Sequence, residues 1–184
     1  MILPITVYGN PILRKRAQEI KPDYKELPEL IANMYETMYK AEGVGLAAPQ
    51  VNKSIRLIVI DATPFEEDEP ELKDFKKAFI NPEILSYEGE EEAFNEGCLS
   101  LPGIREDVER PAKIKVKYLD ENFNEHIEEW EGIRARVMQH ELDHLDGKLF
   151  IDRISPIRRR LITGKLNAIA KGKTLPDYRI IPNK

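Results

Sequence analysis

Two histidines four residues apart, His140 and His144, lie in the stretch Gly132 to Leu145, with Gly147 just beyond it. The stretch reads as a helix with Gly147 as its stop signal. On a helix, residues at i and i+4 share a face about one turn apart. Two imidazoles so placed can hold one metal ion, and Glu141 sits one step round, close enough to act on a bound water. The chain has only three histidines, and two of them fall in this pattern. The third, His126, lies in an expected hairpin strand and reads as a surface residue.

Two histidines leave a metal site short of a ligand, because a catalytic site commonly has three protein ligands and one open position. The sole cysteine, Cys98, is the candidate third ligand, in Glu96-Gly97-Cys98-Leu99-Ser100. A thiolate on a divalent cation is deprotonated outright. Pro102-Gly103 follows and reads as a turn. One cysteine excludes an internal disulfide and fits a reducing cytosol. A third segment, Gly43-Val44-Gly45-Leu46-Ala47-Ala48-Pro49-Gln50, carries little side-chain bulk, so a substrate backbone can approach it closely. Gln50 closes it with an amide able to donate a hydrogen bond. No Gly-Lys-Ser/Thr follows, so it is not a phosphate loop.

Around these segments the pattern predicts helices at 27–41, with Pro28 in its first turn and Gly43 as its stop, and at 156–171, capped by Ser155. Ile55–Ile60 reads as a β-branched strand. Short strands are expected at Ala78–Ile80 and Ile84–Tyr87 around Asn81-Pro82. Ile114, Val116 and Tyr118 alternate with lysines as a half-buried antiparallel strand, whose partner falls near 125–130. The acidic run 66–74 reads as a solvated loop. Strands and helices without βαβ alternation argue for α+β. At 184 residues one domain is expected, with a core over 1–154 and a C-terminal helix and tail over 155–184 as part of it. The net charge of −5 divides unevenly: the last thirty residues carry +7, the rest −12. No run approaches ~20 apolar residues, so no membrane span is expected, and the start lacks the basic and apolar regions of a signal peptide.

Segments 43–50, 96–100 and 140–144 together resemble, in order, the GxGLAAxQ, EGCLS and HExDH motifs of the peptide deformylases, and Pro11–Arg14 fits the family as well. The resemblance implies antiparallel sheets packed around the helix that carries the histidines, and a C-terminal helix like that of a bacterial form of the family. It implies a cytoplasmic hydrolase that removes the N-formyl group from the initiator methionine of new polypeptides, releasing formate. Cys98, His140 and His144 would hold one divalent ion, ferrous iron with zinc or nickel accepted, which lowers the pKa of a water towards ~7. Glu141 would move the proton, and Gln50 with the Leu99 backbone N–H would stabilise the developing oxyanion. The Gly45 backbone would pair with an extended substrate. The methionine pocket would draw on Ile133 and Val137 of the metal helix, opposite Val44 and Phe94. Arg136 departs from the family, where an apolar residue is usual. Its stem is expected to line the pocket while its head snorkels to water.

Two other readings use the same residues. A metal-dependent endopeptidase would need a third ligand downstream of the helix, and no histidine follows His144. A structural metal site would prefer four protein ligands. The substrate is a nascent chain and ribosomal RNA is a phosphate surface, so the basic segment from Ser155 to Lys184 is expected to dock on the ribosome. Nothing points to a specific DNA partner.

Overall fold

The computed structural model describes the whole chain, Met1–Lys184. Its frame is a five-stranded antiparallel sheet in the order β2-β3-β4-β5-β6. The strands are β2 (Gly45–Ala47), β3 (Leu57–Asp61), β4 (Lys76–Cys98), β5 (Leu101–Leu119) and β6 (Glu125–Glu131). Helix α1 (Leu27–Lys40) packs on one face and α2 (Gly132–Leu145) on the other. β3 shows why. Its Ile58 and Ile60 join Met138, Leu142 and Leu145 of α2, while Leu57 and Val59 join Ile31, Met34 and Met38 of α1. A strand buried on both faces has no polar alternation, which accounts for its unbroken apolar run.

Several elements differ from the sequence expectation. The short strands around Asn81-Pro82 are one long strand, β4, with register shifts at Ile80/Glu83 and Ile84/Ser86. Asn81 adopts a left-handed φ of 49°. Its side chain takes up the backbone N–H and C=O of Ile20 at 2.8 and 2.9 Å, so the apparent turn is a bulge held from outside the sheet. β4 then runs through the acidic stretch Glu88–Glu92, where Glu88 pairs with Lys113 and Glu92 with Arg110. The turn back to β5 is Leu99–Ser100, between the paired Cys98 and Leu101. Pro102 and Gly103 are not that turn. They lie in the bulge between the pairs Gly97/Arg105 and Cys98/Leu101, with Gly103 at φ 79°.

The end of α1 is set by Glu42, not Gly43. Glu42 takes the left-handed φ of 58° and Gly43 N–H bonds back to the Met38 carbonyl at 2.9 Å. The acidic run 66–74 is only partly a solvated loop. It buries Leu72, and both oxygens of the Glu69 carboxylate lie 3.1 Å from the Ile133 N–H, at the amino end of α2. The expected helix at 156–171 is divided at Ile162 into α3 (Pro156–Leu161) and α4 (Thr163–Ala170). Ser155 caps α3 by accepting from the Arg158 N–H. Ile162, Leu166 and Ile169 bury against Leu101, Ile104, Val108 and Phe150. Beyond α4 the chain returns across the body, and β7 (Ile180–Ile181) pairs parallel with β1 (Ile5–Thr6).

Candidate active site

Helix α2 carries His140, Glu141 and His144 past the end of the β4–β5 hairpin, where Cys98 sits. Ligand atoms of Cys98, His140 and His144 all lie within 4.8 Å of one another, and Cys98 Sγ is 3.3 Å from His144 Nε2. The cluster can hold one metal ion. His140 Nδ1 meets Glu96 Oε1 at 2.8 Å. That partner sets the tautomer and leaves Nε2 to turn towards the thiol. Burial and the neighbouring His140 push His144 down to about 3, which keeps it in the neutral, ligating form. Burial alone would lower His140 as well, but its bonds to Cys98 and Glu96 outweigh burial and hold it well above its ordinary value. Glu141 Oε2 is buried without a hydrogen-bond partner, and burial pushes this carboxyl up to about 7. Such a group calls for a partner, and a water held beside Cys98, His140 and His144 would supply one. One thiolate and two imidazoles suit a first-row divalent ion.

Glu96 does more than orient His140. It also accepts from Arg110 Nε and Nη2 at 2.7 and 2.9 Å and from Arg136 Nη1 at 2.9 Å. Arg110 continues to Asp143 at 2.8 Å, and Arg153 grips the same carboxylate with two bonds of 2.7 Å. Burial works against the charge on Glu96, but the His140 and Arg110 bonds hold its carboxyl well below the usual carboxylate range. The snorkelling expected of Arg136 does not occur. Its guanidinium is buried, 5.6 Å from the Phe94 ring. It donates to Glu96 and to the carbonyls of Val108 and Glu92, at 2.8 and 2.5 Å for the carbonyls. Three acceptors inside the fold outcompete water, so Arg136 staples β4 to α2 instead of reaching the rim.

The Gly45 position is tightly packed against the site. A Cβ there would stand 3.0 Å from Glu141 Oε1 and from Val137 Cγ1. β2 is an edge strand, so its outer edge is open for an added strand. The Gln50 amide is oriented by its neighbours. Oε1 accepts from the Ala47 N–H at 3.0 Å, and Nε2 points at Ser100 Oγ and Cys98 Sγ, 3.1 and 3.5 Å away. Val44, Gly45, Gln50, Phe94, Cys98 and Leu99 line one cleft, and Ile133, Arg136, Val137, His140 and Glu141 line it too. His144 lies behind them, 1% exposed. Outside this site, His126 meets Asp120 at 2.7 Å and stacks on Tyr118.

The family model described as Polypeptide deformylase matches residues 2–160. The chain belongs to the peptide deformylase family. A curated peptide deformylase of Flavobacterium psychrophilum is 54% identical over 193 aligned positions, covering all of both chains. Among solved structures, the peptide deformylase of Thermus thermophilus superposes with a TM-score of 0.83 at 41% identity, over 94% of this chain and 99% of that one. That of Legionella pneumophila gives 0.81 at 41% identity, over 91% and 94%. The α+β fold with its C-terminal helical segment is the family's, and membership makes the protein a hydrolase.

Sequence reasoning missed Glu96, Arg110 and Tyr178, and it misplaced the head of Arg136. Glu96 stands within its motif, but spacing alone assigns it no role. The partnership of Arg110 and Arg136 with it depends on the β4–β5 register. Tyr178, whose hydroxyl donates to the Leu99 carbonyl at 2.5 Å, is distant in sequence from the motifs and carries no local signal.

Proposed function

We propose that this cleft removes the N-formyl group from formyl-methionine at the start of newly made polypeptides, releasing formate and a free amine. The observation that carries this reading is the convergence of a three-donor metal cluster, a buried unpartnered Glu141 and the Gln50 amide beside an open strand edge. Cys98, His140 and His144 are the residues that would hold one divalent ion. Ferrous iron, with zinc and nickel as alternatives, would supply Lewis acidity and lower the pKa of a water there. Glu141 is placed to take a proton from the attacking water and to deliver it to the departing amine. The Gln50 amide and the Leu99 N–H donate to the formyl oxygen as charge develops there, where one donor is typically worth ~10²–10³ in rate. The peptide backbone lies along Gly45 as an added strand. Backbone pairing reads no side chain, so the sequence beyond methionine can vary. The methionine side chain enters between Val44, Phe94, Ile133 and Val137, against the buried stem of Arg136.

The setting of the reaction is the cytoplasm, beside the ribosome, with no membrane or DNA partner. No helix is long and apolar enough to cross a membrane. Residues 155–184 act with 1–154 as one domain, supported by the burial of Ile162, Leu166 and Ile169. The exposed Ile157 and Leu161, with Arg160 and Lys165, form the surface offered to the ribosome.

Formate release from formyl-Met-Ala, with metal analysis of protein purified without air, tests the reading. The expected result is one ion per chain and formate without internal cleavage. Glu141→Gln should keep the ion and lose ~10²-fold or more in kcat. A wild-type protein that holds an ion but releases no formate would overturn the reading.

A further inference from the structure

The cleft has a wall that none of the three motifs supplies. Thr174, Leu175, Pro176, Asp177 and Tyr178 line it together with Gly45, Gln50 and Glu141. This segment is a strap fastened at both ends. Before it, the Lys173 N–H bonds to the Ala168 carbonyl at 2.8 Å. After it, the Arg179 carbonyl accepts from the Ile5 N–H at 2.9 Å, β7 pairs with β1, and Asn183 donates to the carbonyls of Tyr8 and Ala170 at 2.9 and 3.1 Å. In the middle, Tyr178 donates to the Leu99 carbonyl, in the hairpin turn that follows Cys98.

Two features of the strap have no use within the fold. Leu175 is 84% exposed, more than any other large apolar side chain in the chain. A residue that lines a cleft while so exposed stands at its mouth. The backbone of Thr174–Asp177 also makes no backbone–backbone hydrogen bond. Elsewhere an exposed leucine needs no explanation. Here it lines the same cleft as Gly45 of the edge strand β2.

We propose that the strap Thr174–Tyr178 is part of the substrate-binding surface: Leu175 contacts an apolar residue that follows formyl-methionine, and Tyr178 holds the strap against the Leu99–Ser100 turn. The occupant is the peptide downstream of the methionine, so the proposal rests on the deformylase reading. Backbone pairing along Gly45 is indifferent to sequence. The strap adds a preference for apolar side chains over polar ones.

The test is selectivity between formyl-Met-Leu-Leu and formyl-Met-Ser-Ser, measured as the ratio of their kcat/KM values. Leu175→Ser should lower that ratio about three- to tenfold, on the scale of a partly buried leucine, with the change in KM for the apolar peptide and not in kcat. The affinity for the product Met-Leu-Leu, by calorimetry, should fall by a similar factor. Tyr178→Phe keeps the ring and removes the bond to Leu99, and it should lower the ratio in the same direction by less. A merely structural strap would slow both peptides equally and leave the ratio alone. An unchanged ratio and product affinity in Leu175→Ser, with active wild-type enzyme, overturns the proposal by itself. Absence of formate from both peptides with wild-type enzyme overturns the deformylase reading and the proposal with it.

Discussion

Arg136 illustrates how one side chain can belong to the site without touching the chemistry. Its guanidinium serves Glu96 and the carbonyls of Val108 and Glu92 from inside the fold. Replacing it with isoleucine would keep the apolar stem and remove its bonds to Glu96 and the two carbonyls, while Glu96 keeps Arg110 and His140 as partners. Losing buried hydrogen bonds of this kind typically costs about 1–3 kcal/mol. Arg136→Ile is therefore expected to lower unfolding stability in urea by about 2 kcal/mol, and lysine should rescue it poorly because it lacks the planar fork. Asp61 gives a pH prediction. Burial opposes its charge, but bonds from the Thr63 hydroxyl and N–H and from the Tyr39 hydroxyl win and hold its pKa below the ordinary aspartate value. A depressed carboxyl contributes stability above its unfolded pKa and loses it as pH falls through the folded one. Asp61→Asn should thus be less stable than wild type at pH 7, and the gap should close as pH falls below about 4. A gap that stays constant in acid melts would contradict this.

At the scale of elements, α2 is the part whose placement matters most. Its amino end has no cap from its own flank, Glu131 making no side-chain bond there. Glu69 reaches that end from the acidic run, over sixty residues earlier in the chain. A carboxylate at a helix amino end satisfies a free N–H and faces the positive end of the helix dipole. Caps of this kind are worth about 0.5–2 kcal/mol. Glu69→Ala is expected to lower unfolding stability by about 1 kcal/mol, while Glu71→Ala, which makes no such contact, should stay near wild type. Equal stability of the two variants in urea melts would show that Glu69 does not hold the helix. The close packing of Gly132 against Glu69, where a Cβ would come within 2.4 Å, is part of the same joint.

For the whole molecule, the C-terminal segment is committed to more of the fold than a charge tally shows. Ile162, Leu166 and Ile169 complete the third core cluster. The strap after α4 walls the cleft. The proposed ribosome contact is left with the remaining surface. Arg158 is not part of it, because its guanidinium grips Glu106 with bonds of 3.0 and 2.9 Å. Deleting 155–184 would therefore damage core and cleft together and say little about docking. Replacing Ile157 with Ser, and Arg160 and Lys165 with Ala, leaves those contacts in place. The triple variant is expected to co-sediment less with ribosomes at low salt, and wild-type binding should weaken steeply as salt rises. Undiminished co-sedimentation would leave α3 as packing alone.

The sequence by itself determined what local spacing and chemical scarcity can encode. The α2 boundaries follow from Gly132 and Gly147, and a two-imidazole face follows from i, i+4 geometry. The lone cysteine and the small-residue run before Gln50 completed the pattern by which the family was legible. The tertiary structure decided everything that depends on sheet register or on a return of the chain. Asn81-Pro82 carries strong turn chemistry, yet Ile20 occupies its amide and β4 continues. Glu96 meets His140 and Arg136 only because β4 is laid along α2. Leu175 reaches the cleft only because β7 finds β1, some 175 residues away in the chain. Such contacts are set by which surfaces bury together, a property of the assembled core and not of any window of sequence.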